Sequence, residues 1–126
     1  MASRYTLKTV TDFAAAHALR NYVGECSRLH GHNWKVEVEV TTSTLDKAGM
    51  GIDFKEIKNA AMALVNELDH HNLNELEPFD KVNPTAENIA AYFFRGLSNT
   101  LNNDRVTISA ITIWETERAC VRYTED

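Results

Sequence analysis

The chain has 126 residues, 44% hydrophobic and 25% charged, with a net charge of −5. That length predicts one domain over 1–126, able to bury an ordinary core without disulfide staples. The acidic balance argues against a nucleic-acid binder, which needs a basic footprint, and no apolar run approaches a membrane span.

In chain order, Tyr5 to about Ala16 is rich in Thr, Val, Tyr and Phe and reads as a strand. From Asn33 to Thr42 the alternation is strict, with Trp34, Val36, Val38 and Val40 against Lys35, Glu37 and Glu39. That is a half-buried strand, expected to pair antiparallel with the first. Thr41 to Gly51 reads as a loop. Asp53 is a plausible N-cap for a helix to about His70, with Ile57, Ala61, Leu64 and Leu68 on its apolar face. After Pro78 and Pro84, Thr85 can cap a second helix striped by Ile89, Phe93, Leu97 and Leu101, which Asn102-Asn103-Asp104 ends. Two β-rich runs, Val106 to Glu115 and Arg118 to Tyr123, close the chain, with Glu117 near their turn. The class is α+β: a four-stranded antiparallel sheet with two helices packed on one face. The first residues, Met-Ala-Ser-Arg-Tyr-Thr, carry no apolar core of a secretory signal, so a cytoplasmic location is expected.

The five histidines fall in three clusters: His17, His30 with His32, and His70 with His71. A period of two puts His30 and His32 on one strand face, in line with Trp34. An antiparallel partner can bring His17 alongside. Three neutral imidazoles with an open fourth position describe a catalytic zinc site. Spacing alone leaves two other readings open: ordinary surface or core histidines, and a structural Cys/His site using Cys26. Asp69-His70 has the parts of an acid/base relay, but from these residues alone a histidine complementing a helix C-terminus is the preferred reading. A reducing compartment argues against a disulfide between Cys26 and Cys120. Cys120 reads as a small buried hydrophobe on a strand, whereas Cys26 sits in a polar loop with Arg28 and His30 that would stabilise a thiolate.

Six segments together resemble the 6-pyruvoyltetrahydropterin synthase superfamily. They are Phe13-Ala14-Ala15-Ala16-His17, Cys26-Ser27-Arg28-Leu29-His30-Gly31-His32, and Gly49-Met50-Gly51-Ile52-Asp53-Phe54. Leu68-Asp69-His70-His71-Asn72-Leu73-Asn74, Asn83-Pro84-Thr85-Ala86-Glu87-Asn88 and Trp114-Glu115-Thr116 follow in family order. The resemblance implies the tunnelling fold, in which subunits join their sheets into a barrel, a homohexamer with active sites at subunit interfaces, and a pterin triphosphate substrate. It implies that His17, His30 and His32 hold Zn2+, that Cys26 is the general base, and that Asp69 and His70 move protons. Glu115 would anchor the pterin through its guanidine-like edge, Thr85 and Glu87 would line the pocket, and Arg28 is a candidate for the triphosphate.

The three residues between Cys26 and His30, and the doubled His70-His71, resemble the bacterial 6-carboxytetrahydropterin synthases of queuosine biosynthesis. The implied reaction converts 7,8-dihydroneopterin triphosphate to 6-carboxy-5,6,7,8-tetrahydropterin, releasing acetaldehyde and triphosphate. A pyruvoyl-forming synthase, an aldolase-like side activity and a non-catalytic pterin-binding module are the rivals.

Overall fold

A computed structural model of the chain describes residues 3–24 and 27–126. Two long strands form its centre, β1 (Tyr5–His17) and β2 (His30–Thr42), paired antiparallel without a break from Tyr5↔Thr42 to His17↔His30. The alternation in β2 does what it predicts. Trp34, Val36, Val38 and Val40 are fully buried, and Lys35, Glu37 and Glu39 face the other way.

The first helix, α1 (Phe54–Leu68), starts where expected, with the Asp53 carboxylate accepting from the Lys55 amide at 2.8 Å. Its buried stripe is Ile57, Ala61, Val65 and Leu68. Val65 therefore takes the core position that the sequence reading gave to Leu64, which is only partly buried. The helix stops two residues short of His70, because Asp69 is extended and His70 has a left-handed φ of 61°. That turn carries the chain onto the edge of β1 as a two-residue strand, β3 (His71–Asn72), followed by a 3-10 turn at Leu73–Glu75.

The second helix, α2 (Ala86–Leu101), is capped by Thr85 Oγ1, which accepts from the Asn88 amide at 3.1 Å. Its Ile89, Phe93 and Leu97 are fully buried. Two strands, β4 (Val106–Thr116) and β5 (Ala119–Tyr123), complete the sheet.

The order is β3-β1-β2-β4-β5, so among the described residues the sheet has five strands and not four, and β3 runs parallel to β1. Two residues are too few to show a period, which is why β3 escapes a pattern-based reading. Both helices cover one face, α1 over β1 and α2 over β4 and β5, enclosing one apolar core. No helix among the described residues is long and apolar enough to cross a membrane.

The opposite face is charged. The Arg122 guanidinium holds Glu39 in a fork, Nε to Oε2 at 3.0 Å and Nη2 to Oε1 at 3.2 Å, and Lys8 lies 3.6 Å from Glu37. Cys120 faces this side and is exposed. The expectation of a buried cysteine is thus wrong: β5 is an edge strand, and Cys120 lies on the sheet face away from the helices.

Candidate active site

The site stands on the strand pairing. His17 lies directly opposite His30 in the register, and His32 follows two residues along β2 on the same face. The three ring centroids are 4.6 to 5.2 Å apart, and one nitrogen from each ring falls within 4.8 Å of the others. Trp34 is the floor, edge-on to His17 and His32 and held by its own Nε1–H donating to the Ala15 carbonyl at 3.2 Å.

Two of the rings are oriented by backbone carbonyls. His17 Nδ1 donates to Pro84 O and His30 Nδ1 donates to Arg28 O, each at 2.7 Å. A carbonyl can only accept, so in each neutral ring the proton sits on Nδ1 and the lone pair on Nε2. Burial lowers the pKa of His17, as do His30 and His32 beside it, and burial likewise lowers His32. Neutral imidazoles are the protonation state that metal coordination requires.

Among the described residues, His17 Nε2 is buried without a hydrogen-bond partner. A polar atom is seldom left so, and a divalent cation shared with His30 and His32 would satisfy it. The donor set fits zinc, and carbonyl-oriented imidazoles are the usual outer arrangement of such sites.

Asp69 and His70 form a second group. Asp69 Oδ2 lies 3.0 Å from His70 Nδ1, and Oδ1 accepts from the Ala14 amide at 2.8 Å. That amide, with His70 as the lesser cause, holds the Asp69 carboxyl below its ordinary range. His70 is 82% exposed. His32 and His70 both line an open cavity of about 520 Å³ whose walls also include Ala14, Ala16 and Gly31.

Thr85, Glu87 and Glu115 come together in a third place, lining a cavity of about 290 Å³ with Cys120 in its wall. Glu115 occupies a bulge: Trp114 pairs with Cys120 and Thr116 with Ala119, leaving Glu115 without a cross-strand partner. Its Oε1 lies 3.6 Å from His17 Nε2 and 3.9 Å from His32 Nε2. Arg28 enters through its carbonyl on His30. Cys26 lies outside the described residues.

Comparison with known proteins gives the family of the chain. The sequence profile of the 6-pyruvoyl tetrahydropterin synthase family matches residues 6–126. The chain belongs to this family. A 6-carboxy-5,6,7,8-tetrahydropterin synthase from Synechocystis is 34% identical over 116 residues, covering 88% of this chain and 86% of that protein. A dihydroneopterin monophosphate aldolase from Pyrococcus furiosus is 37% identical over 103 residues, 82% of each chain. The structure of the Caenorhabditis elegans 6-pyruvoyl tetrahydropterin synthase superposes with a TM-score of 0.87 at 27% identity, over 99% of this chain and 98% of that one.

Within this member of the family, several supporting residues went unread in the sequence. Asn74 brackets Ala18, accepting from its amide and donating to its carbonyl, both at 2.8 Å. Asn83 does the same to Arg20, at 2.9 and 2.8 Å. These two amide clamps fix the chain just beyond His17, and Pro84, next to Asn83, supplies the carbonyl that orients the His17 ring. Both asparagines stand in the resemblance motifs, but their spacing carries no sign of the task.

Proposed function

We propose that the chain is a zinc-dependent 6-carboxytetrahydropterin synthase. It would convert 7,8-dihydroneopterin triphosphate, with a water consumed, to 6-carboxy-5,6,7,8-tetrahydropterin, acetaldehyde and triphosphate, in the queuosine (7-deazaguanine) pathway. The observation that carries this is the triad of imidazoles, two of them carbonyl-oriented, in which the buried His17 Nε2 lacks a partner among the described residues, beside a separate Asp–His pair. Relatives bearing the synthase name at 34% and 32% identity support the choice of product.

In this reading His17, His30 and His32 hold the zinc through Nε2. Bound there, zinc supplies Lewis acidity toward the oxygens of the substrate side chain. The other work falls to the protein. The Glu115 carboxylate accepts from the guanidine-like edge of the pterin, with Thr85 and Glu87 alongside it in the same cavity. Asp69 fixes the proton of His70 on Nδ1 and stabilises the imidazolium, so Nε2 is the atom that exchanges protons with substrate. Cys26 takes the general-base role on the strength of the family motif. Triphosphate leaves by elimination from the third side-chain carbon, the C6–N5 double bond is reduced as the first side-chain carbon is oxidised, and water adds to that first carbon as its bond to the second breaks, the remaining two carbons departing as acetaldehyde.

The assembly in this reading is a homohexamer with active sites between subunits. The exposure of His70 and the unpaired outer edge of β5 support it, since both are open to a neighbouring copy. The Pyrococcus furiosus relative favours one second reading, an aldolase that cleaves the side chain by a retro-aldol step without eliminating phosphate. The test is acetaldehyde release, followed through its reduction by alcohol dehydrogenase and NADH. Release that requires zinc and stops on chelation is expected. Turnover of the triphosphate by zinc-loaded protein with no acetaldehyde formed would overturn the proposal.

A further inference from the structure

The arrangement of Glu115 against the histidines poses an electrostatic problem. His17 Nε2 carries a lone pair, because its ring proton is committed at Nδ1 to Pro84 O. An ionised carboxylate oxygen is also only an acceptor. Two acceptors facing each other across 3.6 Å, with a second imidazole nitrogen, that of His32, at 3.9 Å, repel unless positive charge lies between them. Zinc bonds of about 2.0–2.2 Å in a tetrahedron set neighbouring donors about 3.3–3.5 Å apart. The Glu115 oxygen needs only a small contraction to join that shell.

We propose that Glu115 is the displaceable fourth donor of the metal centre, closing the position that substrate must open. This rests on the reading of His17, His30 and His32 as ligands. The bulge at Glu115 suits the task, since it frees the residue from cross-strand pairing, and the side chain is 37% exposed and able to swing. The same carboxylate is the proposed pterin anchor. Bidentate pairing engages both carboxylate oxygens and draws them off the histidines: a guanidine-like edge that captures Glu115 uncovers the metal, and a diol without such an edge meets a closed centre. Glu115 is thus a selectivity device that opens the coordination position when a pterin is in place and keeps it covered otherwise.

The test uses the full-length protein loaded with Co2+ or Zn2+ and no substrate, comparing wild type with Glu115→Gln and Glu115→Asp. Glutamine removes the charged donor at constant size, and aspartate keeps the charge but draws the oxygen back by one methylene. Both variants are expected to change the visible cobalt spectrum. Zinc affinity should fall at least about ten-fold, the loss seen when even an outer partner of a metal ligand is removed. Melting curves of the metal-free variants check that the fold is kept. Stoichiometric metal in wild type with an unchanged cobalt spectrum and unchanged affinity in both variants would overturn the role of Glu115 and leave the histidine triad standing. Failure of wild type to bind either ion would overturn both.

Discussion

The backbone of Ala14 grips the Asp69–His70 pair at two points: its amide donates to Asp69 Oδ1 at 2.8 Å, and its carbonyl accepts from the His70 amide at 2.6 Å. Ala14 lies three residues before His17 on the same strand, so β1 positions both the proposed proton-transfer pair and a proposed metal ligand. Strand and helix end are thereby registered to each other.

Asp69→Asn separates the two duties of this carboxylate. The amide oxygen can still accept from Ala14, so the fold and the melting temperature should stay close to wild type. The Asp69 negative charge beside His70 is lost, and turnover should fall by about 10²–10⁴, the range of a general acid–base contribution. Asp69→Ala should lose the same activity and melt at lower temperature as well. Steady-state kinetics with thermal melts on the two variants check this.

Acid should unfold the metal-free protein in two stages. Burial depresses His17 and His32, so as pH falls below about 6.5 the unfolded chain takes up protons first and stability drops. Asp69 and Glu39 are depressed too, chiefly by the Ala14 amide and by the Arg122 guanidinium. Their contribution is intact above the ordinary carboxylate range of about 4 and is lost as pH falls through their lower folded values. Melting temperatures across pH 3 to 8 should show both stages. Arg122→Ala should weaken the lower one and leave the upper one in place.

Trp34→Phe should loosen the metal site from below. The substitution removes the Nε1–H that reaches Ala15 O and shrinks the ring edge-on to His17 and His32. A lost buried hydrogen bond plus a partial cavity costs about 1–3 kcal/mol. Urea unfolding of the metal-free protein measures that loss, and zinc titration should show weaker binding although Trp34 is not a ligand.

Gly51→Ala should destabilise by overpacking. A Cβ at this position would lie 2.6 Å from Thr42 Cγ2 and 3.2 Å from Leu7 Cδ1, and Thr42 is buried at the end of β2. Such crowding typically costs about 1–3 kcal/mol. The site is remote from the histidines, so zinc stoichiometry should be unchanged while the melting temperature falls.

Much of this molecule is legible in its sequence because its signals are periodic or paired. The alternation of β2 gives the strand, its buried face and the side on which His30 and His32 lie. Asp53 and Thr85 mark the helix starts through their capping oxygens. What escapes is set by three-dimensional contact alone. β3 is two residues long, and Cys120 is exposed because it lies on the sheet face away from the helices. Val65 replaces Leu64 in the core because the helix phase is fixed by packing on β1. The amide clamps of Asn74 and Asn83, and the carbonyl of Pro84, connect residues more than fifty positions apart. The sequence brings Thr85, Glu87 and Glu115 into view as motif positions, and the shared cavity at the start of α2 gives that grouping its physical sense.

The most direct measurement is mass spectrometry of the products formed when zinc-loaded protein is incubated with 7,8-dihydroneopterin triphosphate. The account predicts 6-carboxy-5,6,7,8-tetrahydropterin together with acetaldehyde and inorganic triphosphate. A 6-pyruvoyl product, or a retro-aldol product whose two-carbon fragment keeps its phosphates, would contradict it.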